Sequence, residues 1–168
     1  SNGNIIADSL LFGGLITQTS PYLTDIIIDS EGYFVLAIDH SYDANITLFD
    51  DGTKADFRSA ADGELSVEEF WDLRIPQINT RSDDVIFVLN QIESYIESGD
   101  IFWSNIDMNR IGAMGHSFGG ATAIITAGRD KRLDACIALD GWIVPIEPKY
   151  IKNGMNVPLL YIGRPEWD

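Results

Sequence analysis

The pentapeptide G-H-S-F-G at residues 115–119 constrains the fold of this chain more than any other feature of its sequence. A short apolar, strand-like segment, residues 110–114, leads directly into it, and a run of small residues, 121–127, follows it. Glycines on both sides of a serine permit a strained, tight turn in which larger side chains would collide with the neighbouring strand and helix. The sequence therefore predicts a strand–turn–helix unit that presents the hydroxyl of Ser117.

The start of a helix directly after this serine has a chemical consequence. The backbone N–H of Phe118 then points toward the oxygen that becomes negative when Ser117 attacks a carbonyl group. Ser117 is therefore a candidate nucleophile, and Phe118 is a candidate oxyanion donor. The alternative is that the glycines and the serine form only a structural turn between a strand and a helix.

Elsewhere, segments with strand and helix periodicity alternate along the chain, which favours an α/β fold. Residues 33–39 form an apolar run typical of a strand that is buried on both faces. Residues 21–30 carry apolar side chains at helical spacing and predict a helix before that strand. A second helix is predicted over residues 81–98, with Gly99 as its end, and two further strands over 135–140 and 157–162.

The segment from residue 43 to residue 80 is polar and irregular, and it predicts an excursion from the sheet. Asp50-Asp51-Gly52 marks a turn in it, and Ser66 with Glu69 forms a capping box that predicts a short helix. The segment also carries aromatic side chains, which either cover a pocket as a flap or anchor a long loop. These are Phe57, Phe70 and Trp71.

Composition limits the classes of function. The chain has 168 residues with 26 acidic and 11 basic side chains, a net charge of −15 and 45% hydrophobic residues, which predicts a single folded domain. This acidity argues against nucleic acid and anionic lipid surfaces as partners. No apolar run approaches the roughly 18 residues of a membrane span, so a soluble protein, cytoplasmic or secreted, is expected. The opening Ser1-Asn2-Gly3 is interpreted as the remnant of a purification tag.

Neither a metal ion nor a cofactor is predicted. Cys136 is the single cysteine, so an internal disulfide and a cysteine-based metal cluster are excluded. The acidic pairs at residues 50–51 and 83–84 lack the spacing of a calcium loop. The glycines at residues 13–14 lack the surrounding pattern of a phosphate-binding loop.

Two longer strings carry a resemblance to a known family: G-H-S-F-G-G-A-T-A at residues 115–123 and I-A-L-D-G-W at residues 137–142. The chain resembles α/β-hydrolases of the platelet-activating factor acetylhydrolase type, over residues 12–162. Further similar strings lie upstream, at residues 32–33, 37–40 and 42–44. The resemblance implies an α/β-hydrolase fold, a mostly parallel sheet flanked by helices, present here in part and incomplete at both ends.

The resemblance also implies roles for individual residues. Ser117 is the attacking group, and Asp140 is the acid that orients a catalytic histidine. The ends of neighbouring parallel strands share one sheet edge, which would bring Asp140 beside Ser117. The string L-L-F-G-G at residues 10–14 matches the latter part of the family's oxyanion loop, which makes Phe12 the candidate second N–H donor. Trp142 is expected to line the substrate pocket.

Two alternatives for the acid remain open. Many hydrolases of this fold carry it after the following strand, where this sequence has Glu166 and Asp168. Asp140 itself could instead be a helix cap or a turn residue.

The sequence contains only two histidines, and neither is expected to act as the base. His116 is expected to be a core histidine that points into the sheet, away from Ser117. His40 is expected to make a structural contact to a loop, because a strand carrying the oxyanion loop lies between it and the nucleophile strand. In the family the base follows the last strand. We therefore expect the intact protein to continue, and residues 1–168 alone to be a poor catalyst.

Three functions fit these observations. The first is a serine ester hydrolase that acts on short-chain acyl esters, including acyl groups of phospholipids, through an acyl-Ser117 intermediate in the intact protein. The second is a hydrolase-like domain that binds a ligand without catalysis, motivated by the missing histidine. The third is other chemistry on the same fold, such as peptide or lactone hydrolysis.

Overall fold

A computed structural model describes residues 3–8, 23–28, 32–49, 51–58 and 63–164 of the chain. The described residues form eight strands and three α-helices. In chain order these are β1 (Gly3–Asp8), β2 (Leu23–Ile28), β3 (Tyr33–Ile38), β4 (Ile46–Leu48), β5 (Lys54–Asp56), α1 (Val67–Glu97), β6 (Ile111–His116), α2 (Phe118–Arg129), β7 (Leu133–Leu139), α3 (Pro148–Ile151) and β8 (Leu159–Ile162).

Six of the strands form one sheet in the order β2-β3-β1-β6-β7-β8. Strands β3, β1, β6, β7 and β8 run parallel to one another, and β2 pairs with β3 in the antiparallel direction. The sheet is therefore mostly parallel, with β6 near its centre, and the helices α1 and α2 pack beside it. This arrangement confirms the predicted α/β-hydrolase class.

The helix predicted over residues 21–30 is wrong, because the structure has strand β2 there. The segment contains three consecutive isoleucines, Ile26 to Ile28, and β-branched side chains favour extended backbone. Pairing with β3, where Ile26 lies opposite Leu36, supplies the backbone hydrogen bonds that a helix would have made internally. Apolar spacing alone did not distinguish these two outcomes.

The boundary predicted between an irregular segment and a helix near residue 81 is also wrong. Helix α1 is continuous from Val67 to Glu97 and contains Pro76. The predicted capping box is confirmed, since Ser66 and Glu69 bond to each other's backbone N–H groups at 3.3 and 2.9 Å. The helix continues past the proline because its next turns bury side chains in the core, starting at Ile78. The predicted end at Gly99 is confirmed by its φ of +81°.

The core lies between α1, α2 and one face of the sheet. In β6, buried residues alternate with half-buried or exposed ones, as expected for a strand with one well-covered face. β3 is buried on both faces from Phe34 onward, as predicted. Cys136 is buried in β7, and burial raises the pKa of its thiol to about 12. Within the described residues, no helix is long and apolar enough to cross a membrane.

The predicted excursion contains a small hairpin. Strands β4 and β5 pair in the antiparallel direction, and Gly52 lies in the turn between them with a φ of +83°, as the Asp-Asp-Gly signal predicts. Strand β1 lies near the centre of the sheet, between β3 and β6, where the strand that carries the oxyanion loop is expected. Its first residue, Gly3, pairs with Tyr33. Ser1 and Asn2 lie outside the described residues, and the interpretation of residues 1–3 as a tag remnant stays a prediction.

Candidate active site

Ser117 lies at the junction of β6 and α2, at the edge of the sheet where the parallel strands end. Its backbone has a φ of 53° and a ψ of −116°, a conformation that non-glycine residues rarely adopt. The N–H of Ser117 donates to the carbonyl of Leu139 at 2.9 Å, and the N–H of Trp142 donates to the carbonyl of Ser117 at 2.8 Å. The strained turn predicted from the sequence is therefore present, and its backbone is bonded on both sides to the end of β7.

The glycines around Ser117 permit a close approach of backbones. A Cβ atom placed on Gly115 would lie 2.3 Å from the backbone carbon and oxygen of Gly119. A Cβ atom on Gly120 would lie 2.8 Å from the Cα atom of Gly141. Real side chains do not fit at such distances unless the backbone moves. Glycine at 115 thus permits the contact between β6 and the start of α2, and glycine at 120 permits the contact between α2 and the segment after β7.

We expect Gly115→Ala to lower the free energy of unfolding by about 3 kcal/mol, because the added methyl group would overlap the backbone of Gly119 and force the turn to shift. Urea unfolding followed by circular dichroism measures this change. Gly128→Ala in α2 is the control, since the atoms nearest to its added Cβ belong to the Tyr150 side chain, at 3.2 Å, and not to backbone. Equal stability of the two variants would contradict the crowding argument.

Phe118 is the first residue of α2, where N–H groups have no hydrogen-bond partner within the helix. Its position directly after Ser117 fits the predicted role as an oxyanion donor. The candidate second donor, Phe12, lies outside the described residues. Its role stays a prediction.

Asp140 follows β7 and lies at the same sheet edge as Ser117, because His116 pairs with Leu139 in the strand register. The structure thus brings Asp140 beside the nucleophile turn, with a positive φ of 47°. Its Oδ2 atom lies 2.7 Å from Nε of Arg164, which follows β8. The competing acids Glu166 and Asp168 lie outside the described residues.

The expectation that His116 is a core histidine is wrong. Its side chain is 65% exposed, and its Nε2 atom lies 3.9 Å from Oδ2 of Asp140. Side chains alternate between the two faces of a strand, and Gly115 occupies the covered face. His116 therefore projects to the opposite side, where it remains open to solvent.

His40 is buried at 3% exposure, and its Nδ1 atom lies 2.7 Å from Oδ2 of Asp84. This partner lies on helix α1. The loop that His40 is expected to contact, at residues 10–14, lies outside the described residues, so that contact stays a prediction. Strand β1 separates β3, which precedes His40, from the nucleophile strand β6. This order matches the predicted separation of His40 from Ser117.

Four aromatic side chains, which we call the aromatic cluster, pack against one another beside the nucleophile turn. They are Phe70, Trp71, Phe118 and Trp142. The Trp142 ring lies 5.6 Å from the rings of both Phe70 and Phe118, measured between centroids. Phe70 belongs to the first turn of α1, so the N-terminus of this helix reaches the residue predicted to line the pocket. Phe57, by contrast, is 47% exposed.

Sequence analysis missed two arginines on α1 that contact this cluster. The guanidinium of Arg74 lies 5.7 Å from the centroid of the Trp142 ring, and that of Arg81 lies 5.1 Å from the centroid of the Phe118 ring. Their seven-residue spacing spans about two helical turns and places both on one face. That spacing could have been noticed, but only if α1 had been predicted as one helix.

The described residues contain no group of three or more His, Cys, Asp or Glu side chains that could hold a metal ion. The groups described at this edge of the sheet include the Ser117 hydroxyl, the backbone N–H groups of the turn and the Asp140 carboxylate.

Comparison with known proteins gives a consistent result. The family described as platelet-activating factor acetylhydrolase, isoform II, matches residues 12–168. The chain is 31% identical over 160 residues to platelet-activating factor acetylhydrolase of Gallus gallus, a match that covers 80% of this chain and 38% of that protein. It is 32% identical over 114 residues to a probable 1-alkyl-2-acetylglycerophosphocholine esterase of Arthroderma benhamiae, covering 68% of this chain and 25% of that protein.

Among solved structures, the fold is similar to that of a ferulic acid esterase from Streptomyces cinnamoneus. The TM-score is 0.65 at 26% sequence identity, and the match covers 98% of this chain and 44% of that chain. The chain thus spans less than half the length of these relatives.

Proposed function

Because this chain belongs to the platelet-activating factor acetylhydrolase family of α/β-hydrolases, we propose that its protein is a serine carboxylic-ester hydrolase. It cleaves short-chain acyl esters, including acyl groups of phospholipids, through an acyl intermediate on Ser117. The observation that carries this proposal is the backbone of Ser117, held at a φ of 53° between a strand and a helix at the open edge of the sheet. Backbone strain of this kind is concentrated at functional sites.

The proposed reaction has two steps. In the first, the Ser117 oxygen bonds to the acyl carbon, its proton passes to a base, and the ester C–O bond breaks so that the alcohol leaves with that proton. In the second, a water molecule loses a proton to the base and its oxygen bonds to the acyl carbon. The bond between the acyl carbon and the Ser117 oxygen then breaks, the acid leaves, and the proton returns to Ser117. In both steps the carbonyl oxygen becomes negative beside the N–H of Phe118, which stabilises it together with the N–H of Phe12.

We assign Asp140 the role of orienting the base, and we place the base in a histidine that follows it in the full gene product. The order nucleophile, acid, histidine is the usual one in this fold. The contact between Arg164 Nε and Asp140 Oδ2 at 2.7 Å supports this assignment. It places a side chain from the segment after β8 against the Asp140 carboxylate, and the proposed histidine would contact the same carboxylate from that side of the chain. On this proposal, residues 1–168 alone hydrolyse esters slowly, because Ser117 then has no partner to accept its proton.

A second candidate function is ligand binding without catalysis. The same contact favours it in one respect, because Arg164 Nε lies 2.7 Å from the Asp140 carboxylate, which is the group that a catalytic histidine would have to contact. On this second proposal, Ser117 and the aromatic cluster would bind an ester without cleaving it. The full gene product distinguishes the two proposals, since only the hydrolase turns over substrate.

The test of the proposed function is covalent labelling of the full gene product by a fluorophosphonate probe, with the modified residue located by peptide mass spectrometry. We expect one equivalent of label on Ser117 and parallel loss of p-nitrophenyl acetate hydrolysis. A chain-length series of p-nitrophenyl esters, followed by an acetylated glycerophosphocholine and a feruloyl ester, then ranks the acyl groups. Absence of label on Ser117 in folded protein would contradict nucleophilic catalysis at this residue.

A further inference from the structure

We propose that Arg81 is a positioning residue for the oxyanion hole, acting through the side chain of Phe118. This inference rests on the proposed function, in which the N–H of Phe118 stabilises the negative oxygen. Arg81 lies on α1, 36 positions before Ser117 in the printed sequence, and no catalytic motif includes it.

The first step of the argument is the contact between Arg81 and Phe118. The guanidinium carbon lies 5.1 Å from the centroid of the Phe118 ring, within the range of a cation–π interaction. The Trp142 ring packs against the same phenyl group with a centroid distance of 5.6 Å. Because the ring and the peptide N–H of Phe118 share one Cα atom, fixing the ring limits rotation of the backbone that carries the N–H.

The second step is that Arg81 is itself held in place. Its Nη1 atom donates to Oδ2 of Asp43, and the two side chains are only 14% and 15% exposed. The backbone N–H of Asp43 donates to the carbonyl of His40 at 2.9 Å, and the His40 ring contacts Asp84 of α1 at 2.7 Å. Two polar contacts therefore tie the turn after β3 to the same helix. A buried guanidinium, paired with a turn that is itself tied to the same helix, is a rigid support for an aromatic ring.

The third step is that the rest of the α1–α2 interface does not depend on Arg81. The hydroxyl of Thr126 donates to the hydroxyl of Ser82 at 3.0 Å in the middle of the interface. At the C-terminal end of α2, Arg129 bonds to Asp83 and to the carbonyl of Asn79. These contacts hold the two helices together but lie away from Phe118. Removing Arg81 should therefore change the position of Phe118 more than the packing of α2.

The test compares Arg81→Met with Arg129→Met in the full gene product. Both variants remove an arginine that joins α1 to α2, but only Arg81 contacts Phe118. We expect Arg81→Met to lower kcat for p-nitrophenyl acetate by about tenfold, with KM changed less than about twofold, because small misplacements of catalytic groups cost rate. We expect Arg129→Met to keep the wild-type kcat. The pH dependence of kcat should keep its midpoint in both variants, since neither replacement touches the base.

Arg81→Lys completes the series, because it keeps the charge beside Asp43 but loses the planar group that stacks on a ring. We expect its kcat to lie between those of the wild type and Arg81→Met, and a wild-type value would overturn the inference even if Arg81→Met does not fold. Equal kcat for Arg81→Met and Arg129→Met, or a loss confined to KM, would also overturn it while leaving the proposed function intact. A wild-type protein that neither hydrolyses esters nor labels at Ser117 would overturn both.

Discussion

Ser117→Ala is expected to lower kcat for ester hydrolysis by about 10⁶ in the full gene product, the scale seen when a serine protease loses its nucleophile. Alanine has no oxygen to bond to the acyl carbon, so the reaction loses its covalent route. The substitution keeps the Cβ atom and adds no new contact in the turn. We therefore expect the thermal midpoint to stay close to that of the wild type, as measured by circular dichroism.

The matched control for this variant is Ser104→Ala. Ser104 is exposed, and its hydroxyl bonds only locally, to the carbonyl of Asp100 at 2.6 Å. Its replacement should leave kcat unchanged. If Ser117→Ala retained a tenth or more of the wild-type rate, the acyl-serine mechanism would be wrong and a direct attack by water would have to replace it.

Asp140→Asn is expected to lower kcat by about 10⁴, because an amide neither holds the catalytic imidazole in the correct tautomer nor stabilises the imidazolium that forms. The fold should tolerate the change. Asp140 has a φ of 47°, and asparagine adopts positive φ values as readily as aspartate does. The measurement is the rate of p-nitrophenyl acetate hydrolysis by the folded variant.

Glu166→Gln and Asp168→Asn are the comparison variants for Asp140→Asn, since each replaces the carboxylate of a competing acid with an amide of the same size. If Asp140 orients the base, both should keep most of the wild-type activity. If Asp140→Asn lowered kcat by less than tenfold while one of the other two variants lost most of its activity, the acid that orients the base would be Glu166 or Asp168 and not Asp140. Asp140 would then be only a turn residue.

The nucleophile turn could be predicted from the sequence because its requirements are local. Ser117 is flanked by Gly115 and Gly119, which allow a close backbone contact, and it lies between an apolar strand-like segment and a run of small residues. The parallel order of the strands then placed Asp140 at the same edge. Each of these inferences depends on residues close together in the chain.

The errors arose where distant contacts decide the structure. The isoleucines of β2 fit a helix or a strand, and pairing with β3 determines which one forms. Residues 43–80 are polar and predict an irregular segment, yet α1 begins at Val67 and continues past Pro76 because its following turns are buried in the core. The exposure of His116 depends on which face of the sheet is covered, and local periodicity does not specify this.

The contact of Arg81 with the Phe118 ring could not be predicted, because it too depends on distant parts of the chain. Arg81 and Asp43 are 38 positions apart, and their pairing depends on the turn after β3 reaching the side of α1. No periodic pattern links these two residues. Only the folded arrangement shows that a charged pair lies beside the aromatic ring.

The nucleophile turn combines crowded positions with one open position, and this contrast matters for enzyme engineering. Gly115 and Gly120 face backbone at distances that exclude any side chain, whereas the neighbouring imidazole at position 116 is largely solvent-exposed. A mutant library that varies residue 116 alone would therefore alter charge and shape close to Asp140, whose Oδ2 atom lies 3.9 Å from His116 Nε2, and leave the glycine contacts of the turn unchanged. Directed evolution of substrate preference has its most accessible starting point at that residue.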